Sequence, residues 1–141
     1  MKIKIKKLHP EAKVPKFAKK SDAGMDLFSL NEHIIKPDQV TLINTGIAME
    51  IPEGHVGLIW DKSGLSTKAG VKTLAGVIDA GYRGDVTVCL INLSKQDCHI
   101  EKGVKVAQIL IQKIEQPEIE EAEELSETDR GAGGFGSTGH K

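Results

Sequence analysis

The sequence predicts an all-β domain, a sandwich or a barrel, and two features indicate this class. Short apolar runs rich in β-branched residues recur along the chain, at 56–60, 86–91 and 104–111, and residues 2–7 alternate lysine with isoleucine. Turn residues such as Pro37-Asp38 and Lys102-Gly103 separate these runs. Apolar runs bounded in this way are typical of strands, and many short strands with regular turns favour a sandwich or a barrel.

One short helix is expected over residues 63–69. Gly70 should end it, because glycine readily adopts the left-handed conformation of a helix C-cap. Ser63 or Asp61 is expected to cap its first turn through a side-chain oxygen.

The chain of 141 residues is long enough for one ordinary domain. We place this domain at residues 1–116, and an acidic linker with a glycine-rich C-terminal arm at 117–141. Residues 115–129 carry eight acidic side chains and Pro117, a composition typical of a solvated linker. The five glycines between residues 130 and 139 make a flexible arm when it is free.

Composition excludes several classes of protein. With 19 Lys and Arg against 20 Asp and Glu, there is no basic excess of the kind that nucleic-acid binding requires. Cys89 and Cys98 form no CxxC pair, so a reducing, cytoplasmic setting is the expectation. The apolar runs are too short to span a membrane, and the first residues lack the apolar core of a signal peptide.

The C-terminal arm combines groups that suit a nucleotide. Arg130 and the hydroxyls of Ser137 and Thr138 suit phosphate oxygens, and Phe135 offers a flat face to a base. The alternative is an ordinary flexible terminus. The spacing of Gly131 and Gly136 mimics a P-loop, but the lysine and the flanking strand and helix are missing.

Two further segments are ambiguous when taken alone. Asp79 ends an apolar stretch before Tyr82, so its carboxylate could activate a water, but Asp and Gly also belong in an ordinary turn. Lys62 and Ser63 at a helix start would suit a phosphate, although a simple cap explains them equally well. Gln108 is polar within an apolar strand and needs a partner in the protein or a ligand.

Five segments in this order resemble the five motifs of the trimeric dUTPase family. They are AGMDLFS (23–29), DKSGLS (61–66), GVIDAGYRG (76–84), GVKVAQILI (103–111) and RGAGGFGSTG (130–139). The third and fifth are the specific ones. The resemblance implies a distorted jelly-roll β-barrel, assembled as a homotrimer with active sites at the subunit interfaces. It implies hydrolysis of dUTP to dUMP and pyrophosphate with Mg²⁺, which keeps uracil out of DNA and supplies dUMP for dTMP synthesis.

The resemblance also implies roles for individual residues. Asp79 would activate the water that attacks the α-phosphorus, and Tyr82 would pack on the deoxyribose and exclude a 2′-hydroxyl. Asp26 would hold a metal-bound water, and Phe135 would stack over the uracil. Backbone groups of the turn between Thr73 and Tyr82 would read the uracil edge, with substrate contacts from Thr73, Gly76, Val77 and Ile78. The remaining substrate contacts would come from Lys62, Ser63, Gly64, Gln108, Arg130, Gly136, Ser137 and Thr138.

The chain departs from the family at two positions. Lys62 stands where the family usually has Arg, and a lysine lacks the bidentate fork. Gly81 stands where many members have Asp, and glycine occurs there in the related dCTP deaminases. A deaminase is therefore one alternative, although its catalytic Glu would fall at Cys89. A non-catalytic nucleotide-binding or interaction protein on the same scaffold is another.

Overall fold

A computed structural model describes residues 1–134 of the chain. The described part contains eleven strands and one helix. In chain order these are β1 (Lys4–Lys7), β2 (Met25–Phe28), β3 (His33–Ile35), β4 (Val40–Ile43), β5 (Ile47–Glu50), β6 (His55–Asp61), α1 (Ser63–Ala69), β7 (Val71–Leu74), β8 (Val77–Ile78), β9 (Val88–Asn92), β10 (Cys98–Ile100) and β11 (Lys105–Lys113).

Antiparallel pairing groups these strands into four sheets, which pack around one core as a distorted β-barrel. One sheet has the order β2-β11-β6-β8, a second has the order β4-β9-β7, and the pairs β1-β5 and β3-β10 complete the structure. Inward-facing side chains form a single apolar core, in which Leu27, Ile43, Val88 and Ile109 are fully buried. The prediction of an all-β barrel is confirmed.

The apolar runs found in the sequence all contribute strands. Residues 2–7 contain β1, residues 56–60 lie within β6, and residues 104–111 overlap β11. The run 86–91 forms a strand only from Val88. Val86 precedes that strand because its amide donates to the carbonyl of Ile47 on β5 (2.8 Å), where the chain crosses between sheets.

The helix lies over Ser63–Ala69, as predicted. Gly70 ends it in the left-handed conformation (φ 65°), and its amide donates to the carbonyl of Ser66. The predicted cap is wrong. Lys62 occupies the N-cap position without a side-chain cap, because Ser63 is already helical and the Asp61 carboxylate accepts hydrogen bonds from Thr73 instead.

The chain leaves the barrel after β11. The amide of Ile114 donates to the carbonyl of Gly54 (2.9 Å), and residues 115–132 are all exposed. Within the described residues no strand follows Lys113. The division at residue 116 stays a prediction. No helix in residues 1–134 has the length and apolar character needed to cross a membrane.

Candidate active site

A buried carboxylate between two lysines forms the first part of the site. Asp26 lies on β2, with Lys62 after β6 and Lys105 at the start of β11. The Lys62 Nζ lies 2.7 Å from Asp26 Oδ1, and the Lys105 Nζ lies 2.7 Å from Oδ2. The Asp26 side chain is 3% exposed, whereas the lysine side chains are 31% and 41% exposed. We call these three residues the lysine–aspartate cluster. Its two ammonium groups reach solvent, and both pair with the same buried carboxylate.

The charge state of Asp26 follows from these contacts. Burial raises the pKa of this carboxyl, but the ammonium groups of Lys105 and Lys62, the latter also through a hydrogen bond to Oδ1, outweigh it and hold the pKa below its ordinary value. Asp26 is thus ionised at neutral pH, and the cluster carries one net positive charge.

A second aspartate, Asp61, links two of the segments that resemble family motifs to strand β7. The Asp61 carboxylate accepts hydrogen bonds from the amide of Thr73 (2.7 Å), the hydroxyl of Thr73 (2.8 Å) and the Nζ of Lys72 (2.7 Å). The carbonyl of Asp61 accepts from the Gln108 amide (3.0 Å). Burial raises the pKa of Asp61, and the bonds from Lys72 and Thr73 hold it below its ordinary value. Gln108 thus has a protein partner, and its position is fixed.

A tight turn joins β7 to β8 through Ala75 and Gly76. Both have positive φ, 56° and 116°, a backbone conformation that glycine adopts readily and other residues adopt rarely, and the turn carries the chain from the β4-β9-β7 sheet to the β2-β11-β6-β8 sheet. A Cβ at position 76 would lie 2.8 Å from the carbonyl oxygen of Ile59, so glycine is required there on two grounds. A cavity of about 200 Å³ follows this turn between Trp60, Thr73 and Val77.

The loop after β8 carries Asp79 and Tyr82. Asp79 is exposed, and its carbonyl accepts from the amide of Tyr82 (3.0 Å). The Tyr82 hydroxyl donates to the carbonyl of Asp85 (3.0 Å). The Asp85 carboxylate accepts from the Asn44 side chain (2.9 Å) and the Gly46 amide (3.0 Å). Asp85 therefore anchors the loop to the barrel, and Asp79 and Tyr82 line one cavity of about 200 Å³.

The two glycines of this loop differ in what they permit. A Cβ at Gly84 would overlap the Tyr82 hydroxyl and lie 2.6 Å from the ring carbon Cζ. A Cβ at Gly81 would meet nothing within 4 Å. The Tyr82 ring therefore occupies the space that the absent side chain of residue 84 leaves. Position 81 has room for the aspartate that many family members carry.

The candidate residues form two groups along β6. Ile78 pairs with Gly57 near the start of this strand, whereas Gln108 pairs with Trp60 and Lys62 follows its end. At a rise of about 3.3 Å per residue, Asp79 and Lys62 lie on the order of 15–20 Å apart. Ser63 and Gly64 are exposed beside Lys62. Within one subunit, the carboxylate of Asp79 is therefore far from the ammonium group of Lys62.

The structure adds three residues that the sequence did not single out as candidates. Lys105, Asp61 and Asp85 are held by long-range contacts that no local motif signals, although Lys105 and Asp61 lie inside two of the segments quoted above. Arg130 lies in an exposed turn, where its Nε donates to the carbonyl of Gly133 (3.0 Å). The remaining arm candidates, Phe135, Gly136, Ser137 and Thr138, lie outside the described residues.

Comparison with known proteins gives a consistent result. A family model described as dUTPase matches residues 10–139. The deoxyuridine 5′-triphosphate nucleotidohydrolase of Clostridium tetani is 50% identical over 139 residues, covering 97% of this chain and 96% of the relative. The protein of the same name from Nautilia profundicola is 50% identical over 141 residues and covers 99% of both chains.

Solved structures agree with these relatives. The dUTPase of Staphylococcus bacteriophage 80alpha with dUpNHpp has a TM-score of 0.89 and 32% identity, covering 99% of both chains. A variant dUTPase from phage phi11 of S. aureus, whose structure reveals the coordination of a structural Mg(II) ion, has a TM-score of 0.81 and 29% identity. It covers 88% of this chain and 98% of its own.

Replacing Asp26 with Asn should lower the free energy of unfolding by about 3 kcal/mol at neutral pH, because two ammonium groups would then face a neutral amide. Urea denaturation measures this loss. Glu50→Gln is the matched control: its ion pair with Lys4 is exposed, so it should change stability little. An equal loss in both variants would contradict the special role of Asp26.

The difference in free energy of unfolding between wild type and Asp26→Asn should depend on pH. Because the pKa of Asp26 in the folded chain lies below its ordinary value of 3.8, its stabilising contribution is complete above that value. The contribution is lost as the pH falls through the lowered pKa. The gap between wild type and Asp26→Asn should therefore shrink in acid, and a gap that widens in acid would contradict the ionised cluster.

Proposed function

This chain belongs to the dUTPase family and hydrolyses dUTP to dUMP and pyrophosphate, and we propose that Asp79 activates the attacking water in this reaction. The observation that carries the proposal is the cavity that Asp79 shares with Tyr82. It places an exposed carboxylate beside an aromatic face that suits a sugar ring. The lysine–aspartate cluster supplies the cations that a triphosphate requires.

The reaction needs one proton acceptor and one leaving group. We propose that Asp79 accepts the proton of a water as its oxygen attacks the α-phosphorus. The bond between the α-phosphorus and the oxygen bridging to the β-phosphate then breaks, and pyrophosphate leaves with the electron pair. Positioning of the reacting groups and neutralisation of charge dominate such transfers. In this proposal the loop that carries Asp79 positions the water, and the lysine–aspartate cluster neutralises the charge.

Charge on the leaving pyrophosphate is met by Lys62 and Lys105 in this proposal. Both ammonium groups are half-exposed and are held by a carboxylate that they share. Ser63 and Gly64 at the exposed start of the helix, together with Gln108, complete the phosphate contacts of this subunit. Arg130, Gly136, Ser137 and Thr138 would add contacts from the arm, and Phe135 would stack on the uracil.

Magnesium fits this chain as an ion held mainly by the substrate. Within residues 1–134 no three His, Cys, Asp or Glu side chains are grouped as a protein metal cage requires. The Asp26 side chain is 3% exposed and both of its oxygens pair with a lysine, so it does not ligate an ion directly. When bound to the phosphate oxygens with its remaining waters, Mg²⁺ would neutralise charge on the triphosphate, and Asp26 would hold one of those waters once a lysine had turned from it to a phosphate.

In this proposal, Tyr82 and the turn between Thr73 and Ile78 select the substrate. The Tyr82 ring is wedged against Gly84 and tethered to Asp85, so it cannot yield to an added 2′-hydroxyl. Backbone groups of the turn between Thr73 and Ile78, including Gly76 and Val77, would read the uracil edge. Thr73 is fixed by its two bonds to Asp61, which supports a rigid reader.

The separation of the two groups supports a site shared between subunits. A triphosphate is much shorter than the distance on the order of 15–20 Å between Asp79 and Lys62 in one chain. The outer face of the β4-β9-β7 sheet is apolar and half-exposed, with Leu42 61%, Val40 52% and Leu74 38% exposed. We propose that this face packs against other copies in a homotrimer, which brings Asp79 of one subunit to the cationic group of another.

Two alternatives are weaker. Cys89, where a deaminase would carry its catalytic glutamate, pairs with Leu42 and Leu74 on the apolar sheet face and lines no part of the Asp79 cavity. A non-catalytic binding protein would have no use for an exposed carboxylate beside the sugar pocket. Both cysteines are free, which supports a cytoplasmic location.

Asp79→Asn should lower kcat for dUTP by a factor of about 10²–10⁴, because it removes the base and keeps the shape of the side chain. Binding of the non-hydrolysable analogue dUpNHpp, measured by calorimetry, should stay near the wild-type value. Asp97→Asn, an exposed carboxylate in the β9–β10 loop, is the control. Near-normal turnover by Asp79→Asn would contradict the assignment of Asp79 as the base.

Gly84→Ala should weaken discrimination between dUTP and UTP, because the new methyl group displaces the Tyr82 ring that excludes the 2′-hydroxyl. We expect the ratio of kcat/KM for the two nucleotides to fall by about tenfold or more. Gly81→Ala, in open space on the same loop, should keep the ratio. If both variants lowered it equally, general loop disruption would explain the result.

Leu42→Asp should dissociate the homotrimer, because the new charge would be buried at the subunit contact. Light scattering should then give a mass of 15.2 kDa in place of three times that value, and dUTP turnover should fall with the mass. Ile119→Asp changes a side chain that is 92% exposed in the linker and should leave the mass unchanged. A wild-type monomer at micromolar concentration would refute the assembly.

A further inference from the structure

The pairing of β11 with β2 contains a shift in register near the start of β11. Lys105 lies opposite Phe28 and Ala107 lies opposite Leu27, so two steps along β11 match one step along β2. Val106 is therefore an extra residue, and β11 is bulged at this point. Bulges of this kind re-aim a side chain and recur beside active sites. The bulge therefore bears on the direction of Lys105, one of the two cations of the lysine–aspartate cluster.

The bulge decides which face of the sheet carries Lys105. Side chains alternate between the two faces along a regular strand, and Ala107 is fully buried in the core. Without the extra residue, position 105 would share the face of Ala107 and its ammonium group would point into the core. With the bulge, Val106 takes the core face and is 1% exposed. Lys105 lies instead on the opposite face with Phe28 and Asp26, where its Nζ is 2.7 Å from Asp26 Oδ2.

Hydrogen bonds fix the chain immediately before the bulge. The amide of Gly103 donates to the carbonyl of Ser29 (2.8 Å), and the amide of Ser29 donates to the carbonyl of Val104 (2.9 Å). Gly103 has a positive φ of 76°. Its carbonyl accepts a hydrogen bond from the ammonium group of Lys13 (2.7 Å). A side chain from a distant part of the sequence therefore holds the turn that leads into the bulge.

The ammonium group of Lys13 also faces the opposite strand. Its Nζ lies 5.5 Å from the centroid of the Phe28 ring, within the range of a cation–π contact. Phe28 is the residue opposite Lys105. A Cβ at position 103 would lie 2.6 Å from the Lys13 Nζ, so the ammonium group fills the space that glycine leaves there. One cation therefore contacts the chain on both sides of the bulge.

Neighbouring contacts keep this lysine in position. Ala12 is buried in the core, and the Glu11 carboxylate pairs with the Nζ of Lys102 (2.6 Å). The carbonyl of Lys16 accepts a hydrogen bond from the amide of Asp26 (2.9 Å). These contacts fasten the N-terminal chain to the turn before β11 and to β2, and they give the ammonium group between them a fixed place.

We propose that Lys13 is a positioning residue for the triphosphate, because it holds the bulge in β11 and thereby keeps the ammonium group of Lys105 on the face of Asp26. Lys13 itself contacts no substrate. The inference rests on the function proposed above, in which Lys105 meets the charge of the leaving pyrophosphate. Preorganised cations bind phosphate oxygens without first rearranging. Loss of Lys13 should therefore weaken the contacts to the β- and γ-phosphates and spare those to the rest of the nucleotide.

Calorimetry with two ligands tests this role. Lys13→Met removes the ammonium group and keeps most of the length of the side chain. It should weaken binding of dUpNHpp about tenfold, as expected for one charged hydrogen bond. Binding of dUMP should stay unchanged, because dUMP lacks the phosphates that Lys105 meets. Lys13→Arg keeps a donor and a cation and should restore most of the affinity. Lys19→Met removes an exposed charge from the same stretch of chain and should leave both affinities near the wild-type values.

A double-mutant cycle shows whether Lys13 acts through Lys105. In the Lys105→Met background, Lys13→Met should cause no further loss of dUpNHpp affinity, since the cation that it positions is absent. Additive losses would overturn the proposal, and so would an equal loss of dUMP binding. An equal effect of Lys19→Met would also overturn it, because simple attraction of an anion would then explain the result.

The same cycle in urea denaturation does not depend on the proposed function. The free energy of unfolding should fall by less in the double variant than the sum of the two single losses, because both lysines stabilise one arrangement of β11. Independent losses would overturn the placement of Lys105 by Lys13 even if the enzyme hydrolyses dUTP. Turnover of dUTP by the wild type tests the reaction itself, so the two failures are distinguishable.

Discussion

The site depends on one buried carboxylate. Asp26 is almost fully buried yet ionised, because the ammonium groups of Lys62 and Lys105 each lie 2.7 Å from one of its oxygens. These three residues come from β2, from the segment after β6 and from β11, so the pairing fixes the relative placement of three distant stretches of chain. Each ammonium group contacts the buried carboxylate on one side and remains accessible to solvent on the other. Preorganised charge of this kind needs no rearrangement when a polyanion binds.

The length of β6 sets the second constraint. This strand carries the phosphate side at its end and the pairing with β8 near its start, so a single subunit keeps its carboxylate and its cations apart. A small barrel cannot shorten a strand without losing the core residues that the strand buries, among them Val56 and Ile59. The proposed homotrimer would bring the two groups together and leave the core intact, and the apolar outer face of the β4-β9-β7 sheet has the character that such a contact requires.

Local signals predicted the local structure well. Strand-like runs, the helix over 63–69 and its end at Gly70 follow from propensity and from glycine's access to positive φ. The helix cap was wrong because Asp61 has a better partner in Thr73, twelve residues away, which no cap rule can anticipate. Lys105 and Asp85 were missed for the same reason, since their contacts are long-range. The motif resemblance predicts roles for Asp79 and Tyr82, but only the structure explains Gly84, whose missing side chain leaves room for the Tyr82 ring.

The presence of lysine at position 62 is understandable from the same cluster. A guanidinium there could engage both oxygens of Asp26 through its planar fork. The single ammonium of Lys62 engages Oδ1 only, which leaves Oδ2 to Lys105. Two point charges, Lys62 after β6 and Lys105 on β11, thus take the places that one fork would occupy on one residue. The second cation, Lys105 on β11, lies three residues before Gln108 on the strand that supplies this side of the site.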